Sequence, residues 1–186
     1  LFLQKKLTNK FQAILSYSYS ISRAEDLRYP GTYYNWDYDF RHVFTAIGGY
    51  KSRLYKTQWY KDFKKKKWYK IFGWILPLSD EIEISFRWRF LGGKPYTLPT
   101  YHPELKRWQI DPDQKINSAR LPTYHRLDLL IQQRYIFSKM NLLAYLDLQN
   151  VYDRDNIWEY TYNEDGTKDK IYQYKIMPVG GFTLEF

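Results

Sequence analysis

Along most of the chain, hydrophobic and polar residues alternate. In residues 11–22 (FQAILSYSYSIS), Phe11, Ala13, Leu15, Tyr17, Tyr19 and Ile21 share one side, and Gln12, Ser16, Ser18, Ser20 and Ser22 share the other with the exception Ile14. A period of two is that of an extended strand with one oily face. Residues 82–90 (IEISFRWRF) split more cleanly, with Ile82, Ile84, Phe86, Trp88 and Phe90 opposite Glu83, Ser85, Arg87 and Arg89. In residues 141–150, Leu142, Ala144, Leu146 and Leu148 alternate with Leu143, Tyr145, Asp147 and Gln149. Residues 42–51 and 126–137 follow the pattern more weakly, and Phe182, Leu184 and Phe186 close the chain in the same manner. With a stub over residues 1–7, the pattern predicts an all-β, antiparallel chain of about seven strands and no helix.

Strand length separates two architectures. A soluble β-sandwich or small closed barrel also alternates. Several of these strands reach roughly ten residues, however, which matches the 9 to 11 that a tilted strand needs to cross hydrocarbon. Their polar sides carry Arg, Glu, Asp, Gln and Ser beside aromatic-rich apolar sides, a pattern that suits a wet lumen inside and lipid outside. Connection lengths alternate as well. Thr8-Asn9-Lys10 and Ser138-Lys139-Met140 read as tight turns, whereas 23–41, 97–125 and 163–169 are longer and polar. Segment 53–80 breaks that parity, being long, basic and rich in aromatics (Trp59, Tyr60, Phe63, Trp68, Tyr69, Phe72, Trp74). The plainer expectation is that its flanking strands run on and the rings form an interfacial girdle. The sharper one is an amphipathic segment lying on the inner leaflet.

Composition supports a chain that is both wet and greasy. There are 20 Tyr, 11 Phe and 7 Trp, and 26% of residues are charged. The longest nearly uncharged apolar run, residues 71–78, falls far short of the roughly 20 residues of a membrane-spanning helix. A mean hydropathy of −0.66 is no obstacle to a membrane β-barrel, whose alternating strands average out as hydrophilic. With no cysteine, disulfides, thiolate metal sites and cysteine nucleophiles are excluded. The chain starts at Leu1 and residues 1–10 lack the blocks of a signal peptide, so a removed leader or a large preceding portion is expected. Much of the net charge of +9 sits in residues 61–70 (KDFKKKKWYK). A solvated turn or a lipid-headgroup contact accounts for this run better than a nucleic-acid site, and no nucleic-acid partner is expected.

No catalytic pattern stands out. His42, His102 and His125 lack HExxH spacing, and there is no GxSxG elbow, P-loop or GxGxxG. His125 alone is placed plausibly for a barrel hydrolase. Asp111-Pro112-Asp113, Asp153-Arg154-Asp155 and Glu164-Asp165-Gly166 lack the full calcium-loop spacing and read as turn chemistry, Asp165-Gly166 especially. The sequence therefore predicts neither an enzyme nor a metal or cofactor. By residue type, the accessible loop candidates for ligand contact are Tyr101, His102, Trp108 and Tyr124.

The order of several motifs carries a resemblance. Residues 36–44 (WDYDFRHVF), 93–97 (GKPYT), 120–129 (RLPTYHRLDL), 146–154 (LDLQNVYDR) and 177–182 (MPVGGF) together resemble the C-terminal barrel of TonB-dependent outer-membrane receptors. The resemblance spans nearly all of residues 1–186 apart from the basic insertion. It implies the last strands of a transmembrane barrel of about 22 strands in the outer membrane of a Gram-negative-type bacterium. It further implies uptake of a scarce ligand such as an iron chelate, cobalamin or a glycan, powered by the TonB system. The plug and the TonB box have no counterpart here. In such proteins the terminal strand, here Phe182, Leu184 and Phe186, resembles the signal that the barrel assembly machinery pairs with. The resemblance gives Asp39, Arg41, Arg126 and Asp128 places in the upper lumen, as scaffold. The alternative from another class is a soluble or surface β-domain that binds glycans or nucleic acid through aromatic and basic loops. A small complete barrel with enzyme activity is a third.

Overall fold

The computed structural model describes residues 1–6, 10–73 and 78–186. Seven strands form one antiparallel sheet in simple chain order: β1 (Phe2–Lys6), β2 (Phe11–Tyr19), β3 (His42–Arg53), β4 (Glu81–Leu91), β5 (Tyr124–Ile136), β6 (Asn141–Gln149) and β7 (Met177–Glu185). Each strand pairs with its chain neighbour. Among the described residues, β1 and β7 do not pair with each other, so the sheet has two open edges.

The register turns the alternation of single strands into two continuous faces. Leu15 stands opposite Ala46, Ala46 opposite Trp88, and Trp88 opposite Leu127. Lower down, Ile84 faces Ile131, Ile131 faces Leu146, and Leu142 faces Leu184. Because side chains alternate strictly along a strand, a slip of one residue would mix the two faces. The other face carries the charges. There Lys51 Nζ lies 3.0 Å from Glu81, Arg87 Nη2 2.9 Å from Asp128, and Arg134 Nη1 2.7 Å from Glu185, all bridging strands.

Among the described residues, no second layer covers the apolar face. Leu15, Phe86, Leu146 and Leu184 are between 41% and 51% exposed. Among the described residues the only buried hydrophobic side chains are Tyr60 and Leu121, and neither belongs to the sheet. Apart from Pro95, the most deeply buried side chains include the polar Asp39, Asp128, Asn150 and Asn156. A sandwich hides its apolar residues between two sheets about 10 Å apart; the further ladders here are two-stranded and lie within the connections.

Those connections segregate. Segments 20–41, 92–123 and 150–176 leave from one end of the sheet. At the other end, β5 and β6 are joined by a tight reversal closed by a 2.9 Å bond from Phe137 N to Met140 O. The expected turn Thr8-Asn9-Lys10 lies for the most part outside the described residues, as does Trp74.

The expectation of no helix is overturned at the same end. After β3 come a 3-10 turn (Leu54–Lys56), α1 (Gln58–Lys65) and α2 (Lys67–Phe72). The strands thus do not run on through this segment to form a girdle: β3 stops at Arg53 and β4 starts at Glu81. Two such short helices, broken at the extended Lys66, leave only fragments of a 3.6-residue period, Trp59 with Phe63 and Trp68 with Ile71 and Phe72. Asp80 pins them to the sheet. Its Oδ1 accepts from the Tyr60 hydroxyl and from Lys64 Nζ at 3.1 Å, and its Oδ2 accepts from the Ile136 amide at 2.7 Å.

Replacing Asp80 by Ala strands the Ile136 amide and the Tyr60 hydroxyl without their acceptor. The expected loss is about 1–3 kcal/mol. Hydrogen exchange should accelerate at Ile136 and across both helices. Lys64→Ala, which removes only a half-exposed ion pair, should cost less than about 1 kcal/mol.

Candidate ligand-binding site

The long-connection end is built on buried polar clamps. Asp39 is 1% exposed, and its Oδ2 receives Arg120 Nη2 at 2.6 Å, while Ser22 N donates to its Oδ1 at 3.2 Å. Arg120 Nη1 also donates to the carbonyls of Asp39 and Gly93, at 2.5 and 2.9 Å. Beside it, Asn117 Nδ2 donates to Asn35 O at 2.8 Å and to Asp37 Oδ1 at 2.7 Å. These bonds tie the first long connection to the second. Close backbone approach does the rest: a β-carbon on Gly92 would collide with the Phe40 carbonyl, and one on Gly93 with the Leu121 carbonyl.

A second clamp holds the third connection. Asp128 pairs with Arg87 and with Arg126 at 3.1 Å, and accepts from the Asn150 amide at 3.1 Å. Asn156 bonds the His125 backbone in both directions, accepting at 3.2 Å and donating at 3.0 Å. Arg41 Nε lies 3.6 Å from Asp39 Oδ2, so Asp39 and Asp128 each pair with two arginines, while the buried Nε atoms of Arg41 and Arg126 have no hydrogen-bond partner among the described residues.

Above these clamps opens a cleft in two parts. One, of about 230 Å³, is lined by Arg89, Lys94, Leu121, Tyr124 and Trp158. The other, of about 350 Å³, shares Lys94, Leu121 and Trp158 and adds Tyr96, Tyr160 and Tyr162. Lys94 Nζ sits 5.4 Å from the Trp158 ring and 5.9 Å from that of Tyr38, within range of a cation–π attraction. Burial, then neighbouring Tyr160, raises the Tyr96 hydroxyl; burial, then Tyr96 and Tyr160, raises that of Tyr162. Both stay neutral donors. The Tyr162 hydroxyl is shielded from water and has no hydrogen-bond partner among the described residues. Flat rings, the cations Arg89 and Lys94 and neutral hydroxyls can stack against an amphipathic ligand and hydrogen-bond its polar rim.

The four sequence-predicted loop residues do not form one site. Tyr124 lines the smaller part of the cleft. Tyr101 and Trp108 pair at 5.3 Å on the hairpin Thr100–His102 and Arg107–Gln109. Trp108 also packs 4.8 Å from Tyr162 and donates to Asn163 O at 2.8 Å, and Tyr101 donates to Glu164 O at 2.6 Å. They dock this hairpin on the next, Ile157–Tyr162 with Lys168–Tyr172, which turns at Asp165-Gly166. His102 is held between Asp111, 3.1 Å from Nε2, and Glu104, 3.3 Å from Nδ1. His125 meets the Tyr152 hydroxyl at 2.7 Å. Lys94, Tyr96, Trp158 and Tyr160 were not singled out by sequence reasoning; the GKPYT segment holds the first two, but nothing in the sequence links it to Trp158. At the far edge, Phe182 and Leu184 extend the apolar face opposite Ala144 and Leu142, and Phe186 follows in phase, almost fully exposed.

The Asp39 clamp has a defined pH response. Burial raises its carboxyl, but the bonds from Arg120 and Ser22 and the charges of Arg120 and Arg41 outweigh that and hold it below the ordinary 3.8. Folding thus lowers this pKa, so the folded clamp binds fewer protons than the unfolded chain. Its stabilisation is complete above 3.8 and is lost as pH falls through the lower folded value. Limited proteolysis of segment 20–41 should be slow at neutral pH and accelerate only below that range. Asp39→Asn should make cleavage fast at neutral pH.

Compared with known proteins, the chain matches no protein-family model, no curated protein and no solved structure.

Proposed function

We propose that this chain forms the last strands of a TonB-dependent outer-membrane receptor, a β-barrel that takes up a scarce ligand such as an iron chelate, cobalamin or a glycan. One observation carries the reading: seven neighbouring strands present a continuous apolar face that no layer of the described residues covers and a charged face on the other side. Hydrocarbon is the surrounding that makes the first face favourable, and a hydrated lumen suits the second. A soluble or surface domain would need a cover for side chains such as Phe86 and Leu146.

The arrangement of the ends supports the same orientation. Long connections gather on one side, where outer loops of such barrels lie, and the reversal at Phe137–Met140 sits on the periplasmic side. The aromatic cleft around Lys94 and Trp158 is then the ligand-facing part of these strands. The open edge of β7, with Phe182, Leu184 and Phe186, is where the barrel assembly machinery engages before closure. Coupling to TonB belongs to parts of the receptor outside these 186 residues.

Arginine substitutions on the two faces test the reading. At the middle of β4, Phe86→Arg places a cation in hydrocarbon at a cost of about 2–4 kcal/mol. Ser85→Arg places the same cation in the lumen. In the intact receptor, Phe86→Arg should sharply reduce the folded, heat-modifiable species in the outer-membrane fraction, with Ser85→Arg close to the natural sequence. A tolerated Phe86→Arg together with a damaging Ser85→Arg would reverse the faces and end the proposal.

A further inference from the structure

The helical insertion between β3 and β4 has a composition that the barrel reading leaves unused. Residues 54–73 hold seven lysines and one aspartate. Lys61, Lys65, Lys66, Lys67 and Lys70 are exposed, and Lys61, Lys67 and Lys70 have no ion-pair partner among the described residues. Beside them, Trp59, Trp68, Ile71 and Phe72 are 50–62% exposed. The rings form a row: Trp59 lies 6.2 Å from Phe63, and Phe63 lies 5.1 Å from Trp68. On α2, Trp68, Ile71 and Phe72 follow the three- and four-residue spacing of one helical stripe. Lysine beside an aromatic and aliphatic stripe is the make-up of a helix lying in a bilayer interface.

Asp80, which holds Tyr60 and Lys64, comes one residue before Glu81, so alternation puts it on the side of Ile82 and Ile84, the apolar face. Tyr69 is within electrostatic reach of Tyr135, which faces Leu142 on that same side. The helices are thus fastened where the oily face of the sheet ends at the short-turn edge.

We propose that α1 and α2 form an interfacial anchor that binds anionic phospholipid headgroups of the inner, periplasmic leaflet, with Trp59, Trp68, Ile71 and Phe72 inserted below the headgroups. This rests on the barrel reading above. Lipid accounts for the exposed Ile71 and Phe72, which a nucleic acid bound through phosphates and stacked bases would leave in water.

The lack of cysteine allows single labels in this chain. The intact receptor carries a nitroxide at Phe72→Cys or at Phe86→Cys, in nanodiscs of phosphatidylcholine alone or with phosphatidylglycerol, and collisions with oxygen and a nickel chelate report depth. Both labels are expected in the oxygen-rich zone when phosphatidylglycerol is present. The Phe72 label should move toward water in phosphatidylcholine alone, or when Lys65, Lys66, Lys67 and Lys70 are replaced by Gln, since each lysine near an anionic surface is worth about a fivefold change in partitioning. A Phe72 label in water while the Phe86 label is in lipid overturns the anchor and leaves the barrel. Both labels in water overturn both. A Phe72 label equally deep in the two lipids overturns the role of the lysines, and immobilisation of that label by single-stranded RNA in place of lipid assigns the patch to nucleic acid.

Discussion

The structure depends on the strict alternation of side chains across a single antiparallel sheet. At 25 cal/mol per Å², the apolar side chains on one face represent a large unsatisfied driving force if they meet water. Folded proteins hide such a face under a second layer. Among the described residues, the rows Leu15–Ala46–Trp88–Leu127 and Ile84–Ile131–Leu146 have none. Much of what is buried is polar: Asp39 with Arg120, Asp128 with Arg87 and Arg126, and Asn150 and Asn156 with the backbone. Among the described residues, polar clamps are buried while one face of the sheet leaves its hydrocarbon exposed.

That inversion places the rest. Charges that bridge strands need partners in register, and the antiparallel meander supplies them: Arg134 lies directly opposite Glu81, with Glu185 two strands further along. Among the described residues, connections on the long side bury few apolar side chains, Leu121 and Pro95. They are ordered by the Asp39 and Asp128 clamps and by ring-on-ring contacts such as Trp108 with Tyr162. The cleft over Lys94 and Trp158 is the space those clamps leave open. At the opposite end, one carboxylate, Asp80, joins the helical insertion to β5.

The seven strands were legible in the sequence because the signal that defines them is local: a period of two, read within about ten residues, gives both the strand and its oily side. Boundaries moved by one to a few residues, most at β2, which ends at Tyr19, and at β7, which starts at Met177. The helices were not legible, because the eight residues of α1 and six of α2 hold too few turns to stand out from a lysine run. The candidate site was legible only in part. Tyr124 was found by type and reaches the cleft, whereas Tyr101 and Trp108 serve to dock hairpins. The bonds that shape the cleft join residues 81 positions apart, as between Arg120 and Asp39, and no local pattern carries such a pairing.

Contact of the oily face with hydrocarbon can be read from the physical state of the intact product. Membrane fractionation followed by electrophoresis with and without boiling should place it in the outer-membrane fraction, with a folded form that changes mobility only on heating. Recovery in a soluble fraction, with no heat-dependent change in mobility, would contradict the account.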